Sequence, residues 1–138
     1  MNHYTLAEMT PGRSEEFTVT VTAEMMDAFC AITGDVSPIH RDADYAKGRG
    51  YPGRVVYGML GASFFSTLAG VYLPGEHCLL HGVECKFAKP IFIGDTLTVR
   101  GTVVSVSEVG SEAEIKAVIT NQNGQRVTRG VIKAGLAK

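Results

Sequence analysis

The run of residues 58–73 constrains this chain most. Met59, Leu60, Phe64, Phe65, Leu68, Ala69 and Tyr72 are spread around a helical wheel and leave no clean polar face. A helix apolar nearly all round has to be surrounded by the rest of its domain. Gly61, Ala62, Ser63 and Ser66 are small, so whatever packs on the helix approaches closely. The run is too short and too interrupted for a membrane span. Pro74-Gly75 ends it.

The C-terminal half of the chain supplies the cover. Residues 77–88 read as one strand. Residues 96–106 alternate, with Leu97, Val99, Gly101 and Val103 opposed to Thr98, Arg100 and Thr102. Residues 112–120 alternate again through Ala113, Ile115, Ala117 and Ile119. Such period-2 patterns mark half-buried strands. Asn123-Gly124 is a hairpin turn signal, since both residues tolerate positive φ, with 125–133 as the returning strand. Long antiparallel strands around one buried helix make an α+β domain.

Ahead of the helix, Phe17, Val19 and Val21 alternate with Thr18 and Thr20, predicting a strand over 16–21. Thr22 can cap a helix over 23–33. Met25, Phe29 and Ile32, with Met26, give that helix its apolar face, and Gly34 stops it. Ser37-Pro38 reads as a helix start with Ser as the cap. Asp42 opens another short helix, and residues 48–53 form a loop by composition. At 138 residues the chain is expected to be one domain, 1–138.

Charge and cysteine content remove several functions. Thirteen basic and fourteen acidic side chains give a net charge of −1. There is no basic excess for nucleic acid, and no polybasic patch for a membrane surface. The three cysteines, Cys30, Cys78 and Cys85, form no CxxC, so no zinc ribbon or dithiol redox motif is expected. An odd, scattered set fits a reducing cytoplasm, and the N-terminus lacks the pattern of a secretory signal. His3 lies near a terminus. His77 and His81 fall on a predicted strand at a spacing that points both to one face, with no obvious carboxylate partner, so no metal is expected. Lys86, Lys89, Arg41, Arg49 and Arg54 are scattered charges of the kind that solvate a surface.

Two segments carry chemistry. Thr33-Gly34-Asp35-Val36-Ser37-Pro38-Ile39-His40 places a carboxylate and an imidazole across a helix start, where a turn can bring them together. With one water between them they form a general acid/base pair that needs neither metal nor cofactor. The alternatives are a turn-forming Asp and a structural His. Gly53-Arg54-Val55-Val56-Tyr57-Gly58-Met59-Leu60 brings Gly58 to the start of the buried helix. The first N–H groups of a helix have no internal partner and can polarise a carbonyl, as an oxyanion hole does. The alternative is that Gly58 only permits a tight loop-to-helix turn.

Together, GDxxPxH and GRVVYGML resemble the MaoC-like (R)-specific enoyl-CoA hydratases of the hotdog fold. Phe29 and Ala31-Ile32-Thr33-Gly34-Asp35, then Asp42, Tyr45-Ala46, Phe87, Pro90 and Gly94-Asp95, extend the resemblance over about residues 20–135. The Phe87…Pro90…Gly94-Asp95 pattern also occurs in hotdog thioesterases and bears on fold alone. The resemblance implies a single hotdog domain paired edge to edge in a homodimer, with sites near the subunit interface. It implies a lyase acting on acyl-CoA or acyl carrier protein thioesters, with coenzyme A as part of the substrate and no separate cofactor. Asp35 and His40 would hold the water, and Gly58 would bind the thioester oxygen. Ser37, Tyr57, Met59 and Ser66 would lie near the substrate. The product would be an (R)-3-hydroxyacyl thioester. Two positions depart from the family: Ser37 stands where Asn is usual, and Tyr57 where His is common. A thioesterase would need a carboxylate on the central helix, and none lies between Gly58 and Val71. A non-catalytic acyl-binding subunit is the other alternative.

Overall fold

The computed structural model describes residues 1–137. A 3₁₀ turn at Leu6–Glu8 precedes β1 (Ser14–Thr20), α1 (Ala23–Thr33), α2 (Pro38–Arg41), α3 (Ala43–Gly48) and α4 (Gly58–Thr67). The strands β2 (Cys78–Phe87), β3 (Thr96–Ser107), β4 (Glu112–Thr120) and β5 (Arg126–Leu136) come after the central helix. All five strands form one antiparallel sheet in the order β1-β3-β4-β5-β2, leaving β1 and β2 as edges.

The alternating strand residues build the floor of the core. Leu97, Val99, Val103, Ala113, Ile115, Ala117, Ile119 and Ile132 are all buried. Phe65, Leu68, Ala69 and Leu73 of the central helix press on them in one cluster. Gly101 marks how close the layers come. A methyl there would sit 3.0 Å from both Leu68 Cδ2 and Ile115 Cγ2. This is the sheet wrapped around a central helix that the sequence predicts, the hotdog architecture.

The central helix differs from expectation in two ways. Its last turn, Leu68–Tyr72, widens, with the Leu73 N–H donating to the Leu68 carbonyl at 2.8 Å. It is also not buried all round. Met59 is 62% exposed, and Ser63 and Ser66 are exposed beside it. Spacings of four and three put these residues on one stripe, which faces a cavity rather than the sheet.

Local signals at helix ends are met. Thr22 accepts the Met25 N–H at 3.2 Å, Gly34 takes φ 74° at the end of α1, and Asp42 accepts the Tyr45 N–H at 3.1 Å. The apolar face of α1 is narrower than predicted: Met26 is buried, but Ile32 is 81% exposed. The Asn123-Gly124 turn is also different. Only Gly124 has positive φ, 73°, and Asn121 accepts the Asn123 and Gln125 N–H groups on its side chain. A turn followed by a left-handed Gly replaces the tight two-residue hairpin. His81 falls at a bulge between Leu80 and Gly82, and His77 precedes the strand, so the two do not share a strand face. Each has a carboxylate neighbour after all: Glu112, distant in sequence, for His81 at 2.5 Å, and the adjacent Glu76 for His77 at 3.8 Å. His3 pairs with Glu76 at 2.8 Å.

Candidate active site

Asp35 sits on a short loop between α1 and α2. Gly34 turns the chain and donates to the Cys30 carbonyl at 2.8 Å, and the Asp35 N–H reaches the Thr33 hydroxyl at 3.2 Å. Oδ1 of Asp35 accepts two bonds from Ser37: its N–H at 3.0 Å and its hydroxyl at 2.5 Å. Ser37 is thus no side-chain cap for α2, contrary to expectation; its hydroxyl is committed to the carboxylate. The Ser37 hydroxyl, then the Ser37 N–H, and last the charge of His40 hold the Asp35 carboxyl below its ordinary pKa. Each favours the ionised form. Oδ2 has no partner among the described residues.

His40 projects from α2. Its Nδ1 lies 2.7 Å from the Val55 carbonyl oxygen. A carbonyl only accepts, so Nδ1 carries the proton and Nε2 is the nitrogen left for a ligand. The backbone around it is tied to the same segment. Arg54 Nε donates to the His40 carbonyl at 2.7 Å, and the Val55 N–H donates to the Ile39 carbonyl at 3.1 Å.

Gly58 is the first residue of α4. The Tyr57 carbonyl accepts the N–H groups of Leu60 and Gly61 at 3.0 and 3.2 Å. The Gly58 N–H has no partner among the described residues, as the helix start dictates. The reason for glycine is space rather than φ. A Cβ here would meet Phe87 Cδ1 and Cε1 at 3.2 Å, and φ is not in the left-handed region.

Asp35, His40 and Gly58 line one cavity of about 800 Å³. Its walls are Met59, Ser63 and Ser66 of α4 and Leu80, Val83, Cys85 and Phe87 of β2. A smaller cavity of about 320 Å³ shares His40, Gly58 and Phe87 and reaches Lys89 and Thr128. Met59 and Ser66 therefore border the main cavity. The Ser63 hydroxyl turns back onto the Leu60 carbonyl at 2.5 Å. Tyr57 is almost fully buried yet also lines the main cavity, with its hydroxyl donating to the Asp35 backbone carbonyl. The β2 residues were missed by sequence reasoning as cavity residues. Their signal was present: positions 83, 85 and 87 share one strand face by period 2. Among the described residues no three His, Cys, Asp or Glu side chains converge as metal ligands do. No helix there is long and apolar enough to cross a membrane.

The arrangement can do acid/base chemistry on an apolar molecule. It offers an ionised carboxylate, an imidazole with one free nitrogen, and an unpartnered N–H at a helix start.

Known proteins resemble this chain in sequence and in fold. The (R)-specific enoyl-CoA hydratase of Aeromonas caviae is 34% identical over 103 residues, 75% of this chain and 77% of that protein. The (R)-specific enoyl-CoA hydratase of Rhodospirillum rubrum is 32% identical over 104 residues, 75% and 72% of the two chains. The solved structure of R-hydratase PhaJ1 from Pseudomonas aeruginosa, unliganded, matches with a TM-score of 0.91 at 27% identity, over 97% of this chain and 86% of that one. The family model described as "MaoC like domain" matches residues 6–126. The chain belongs to the MaoC-like domain family.

Proposed function

We propose that this protein is a hydro-lyase that reversibly adds water to trans-2-enoyl thioesters, giving (R)-3-hydroxyacyl thioesters. One observation carries the reading: Asp35, His40 and Gly58, the residue that starts α4, line a single apolar cavity. Its walls suit an acyl chain. The two relatives named (R)-specific enoyl-CoA hydratase support the same chemistry.

In this reading the thioester carbonyl rests on the Gly58 N–H at the α4 start, which stabilises the negative charge that develops on the oxygen. Asp35 and His40 hold one water against the β-carbon. Its oxygen bonds to that carbon, the pair takes one proton from the water, and the α-carbon receives one. No net proton or electron is exchanged. The pair works as a unit, so the proton is not assigned to one member. Met59 and Ser66 border the acyl chain, and Ser37 acts through Asp35. No cofactor enters; coenzyme A, or an acyl carrier protein, belongs to the substrate.

The edge strand β2 supports a homodimer. Leu79, Val83 and Phe87 are exposed on it, and its outer backbone groups are free to pair. A second copy pairing there covers both and borders the cavity. Three free thiols suit the cytoplasm.

The test is hydration of crotonyl-CoA, followed by loss of enoyl-thioester absorbance and chiral analysis of the product. (R)-3-hydroxybutyryl-CoA from wild type, with turnover lost in Asp35→Asn and His40→Ala, is the expected result. Release of free thiol instead would replace the reading by a thioesterase. Thioester binding without turnover of short, long or branched enoyl substrates would replace it by a binding subunit.

A further inference from the structure

We propose that Tyr57 is the positioning residue of this site, holding the Asp35 loop, the His40 ring and the Gly58 helix start in one register. This rests on the hydratase reading above and adds to it a residue that touches no reacting atom. The loop around Asp35 is exposed, and its other hydrogen bonds are local. The Asp35 N–H reaches Thr33, and Ser37 reaches Asp35, each two residues away. Among the described residues, one hydrogen bond ties this loop to the rest of the fold. It runs from the Tyr57 hydroxyl to the Asp35 carbonyl oxygen at 2.7 Å, across 22 positions of sequence.

The same side chain meets the second member of the pair. The ring centroids of Tyr57 and His40 are 4.2 Å apart, tilted by 30°, and Phe29 closes the other contact at 4.8 Å. Tyr57 is the N-cap residue of α4, one position before Gly58. One buried phenol therefore touches the elements that carry the carboxylate, the imidazole and the N–H donor. Burial first, and the neighbouring Cys30 next, push its pKa above the ordinary phenol value, so it remains a donor at neutral pH. Addition of water needs the oxygen and the β-carbon roughly 3–3.5 Å apart and aligned, and a 1 Å misplacement can cost on the order of 100-fold. A residue that acts through Asp35 in this way alters kcat and leaves KM alone.

Tyr57→Phe is the test. It keeps the ring contacts and removes the one hydroxyl. We expect kcat with crotonyl-CoA to fall about 10- to 100-fold with KM within about twofold of wild type. Coupling is read in single turnovers with excess enzyme. In an Asp35→Asn background, adding Tyr57→Phe should change the residual rate by less than about twofold, because the group it positions is gone. Independently of turnover, ¹⁵N relaxation should show the Val36 and Ser37 amides dropping from order parameters of about 0.85 to about 0.6. Four outcomes overturn the proposal: unchanged kcat, raised KM with kcat kept, equal losses in both backgrounds, or a variant that does not fold. Should wild type turn over no enoyl thioester, the hydratase reading fails by itself. The order parameters then decide the pinning, and unchanged values refute it.

Discussion

Gly58→Ala separates the two explanations of that glycine. The added methyl would lie 3.2 Å from Phe87 Cδ1 and Cε1 and 3.4 Å from Cγ, against a carbon–carbon optimum of about 3.5–4.0 Å. The Phe87 ring has to retreat by roughly 0.3–0.5 Å to restore that contact. Phe87 is about half exposed on an edge strand, so it can move, and the cost should stay below about 1 kcal/mol, the low end for overpacking. Replacing Gly by Ala in a helix returns up to about 1 kcal/mol of propensity. The two contributions nearly cancel, so the urea midpoint should barely change. The rate has no such compensation. Gly58 lines both cavities, and the methyl enters the space beside its N–H that the carbonyl needs. A donor displaced by a fraction of an ångström should cost about 10- to 100-fold in kcat, about 1.4–2.8 kcal/mol of barrier. Steady-state hydration of crotonyl-CoA and urea unfolding of the same preparation give both numbers. A kcat within twofold of wild type would refute the role of this N–H. A large loss of stability alongside the rate would make Gly58 a packing residue.

Three further perturbations test other links. Ser37→Ala removes the largest cause of the lowered Asp35 pKa. Wild-type Asp35 remains ionised to unusually low pH, so in the variant the acid limb of kcat/KM should move to higher pH. An unmoved limb would mean that Asp35 is not the group titrating there. The same lowered pKa stabilises the fold above the unfolded Asp pKa, and this contribution is lost as pH falls through the folded value. Gly101→Ala drives a methyl to 3.0 Å from Leu68 and Ile115 in the core, and should cost about 1–3 kcal/mol in urea unfolding without altering kcat per folded molecule. Leu79→Lys puts a charge on the edge strand β2 at an exposed position outside the cavity, where light scattering should show the proposed dimer falling to monomer mass; an unchanged mass would place the interface elsewhere.

What the sequence disclosed depended on the range of the interaction. The Thr22 cap, the Gly34 stop and the Asp42 cap each depend on groups at most four residues apart, and all three were legible. The buried positions of β3 and β4 were legible because period 2 is a property of the backbone. Ile32 was misjudged because helical spacing gives a stripe but not its width, and the core that α1 packs on covers only part of it. Ser37 was misjudged because a Ser hydroxyl before a helix has two partners within reach, and the Asp35 carboxylate wins over a helix N–H by its charge.

The alignment of the site lies on the far side of that limit. Asp35, Ser37 and His40 are close in sequence, so spacing alone proposes them as a group. Within their own segment Ser37 ties down the Asp35 carboxylate, but no bond there fixes the His40 ring against it. That is done by the segment 54–58. Its Arg54 side chain, Val55 carbonyl and Tyr57 hydroxyl reach back 14, 15 and 22 residues to the His40 carbonyl, the His40 ring and the Asp35 carbonyl. Two of those contacts fall on main-chain carbonyls, and the third is made by one, so residue types at 35–40 leave little trace of them. The segment ends in the helix whose first residue, Gly58, lines the cavity. The proposed acid/base pair and its proposed oxyanion donor are thereby set by one stretch of chain, and a shift of that stretch would displace all three together.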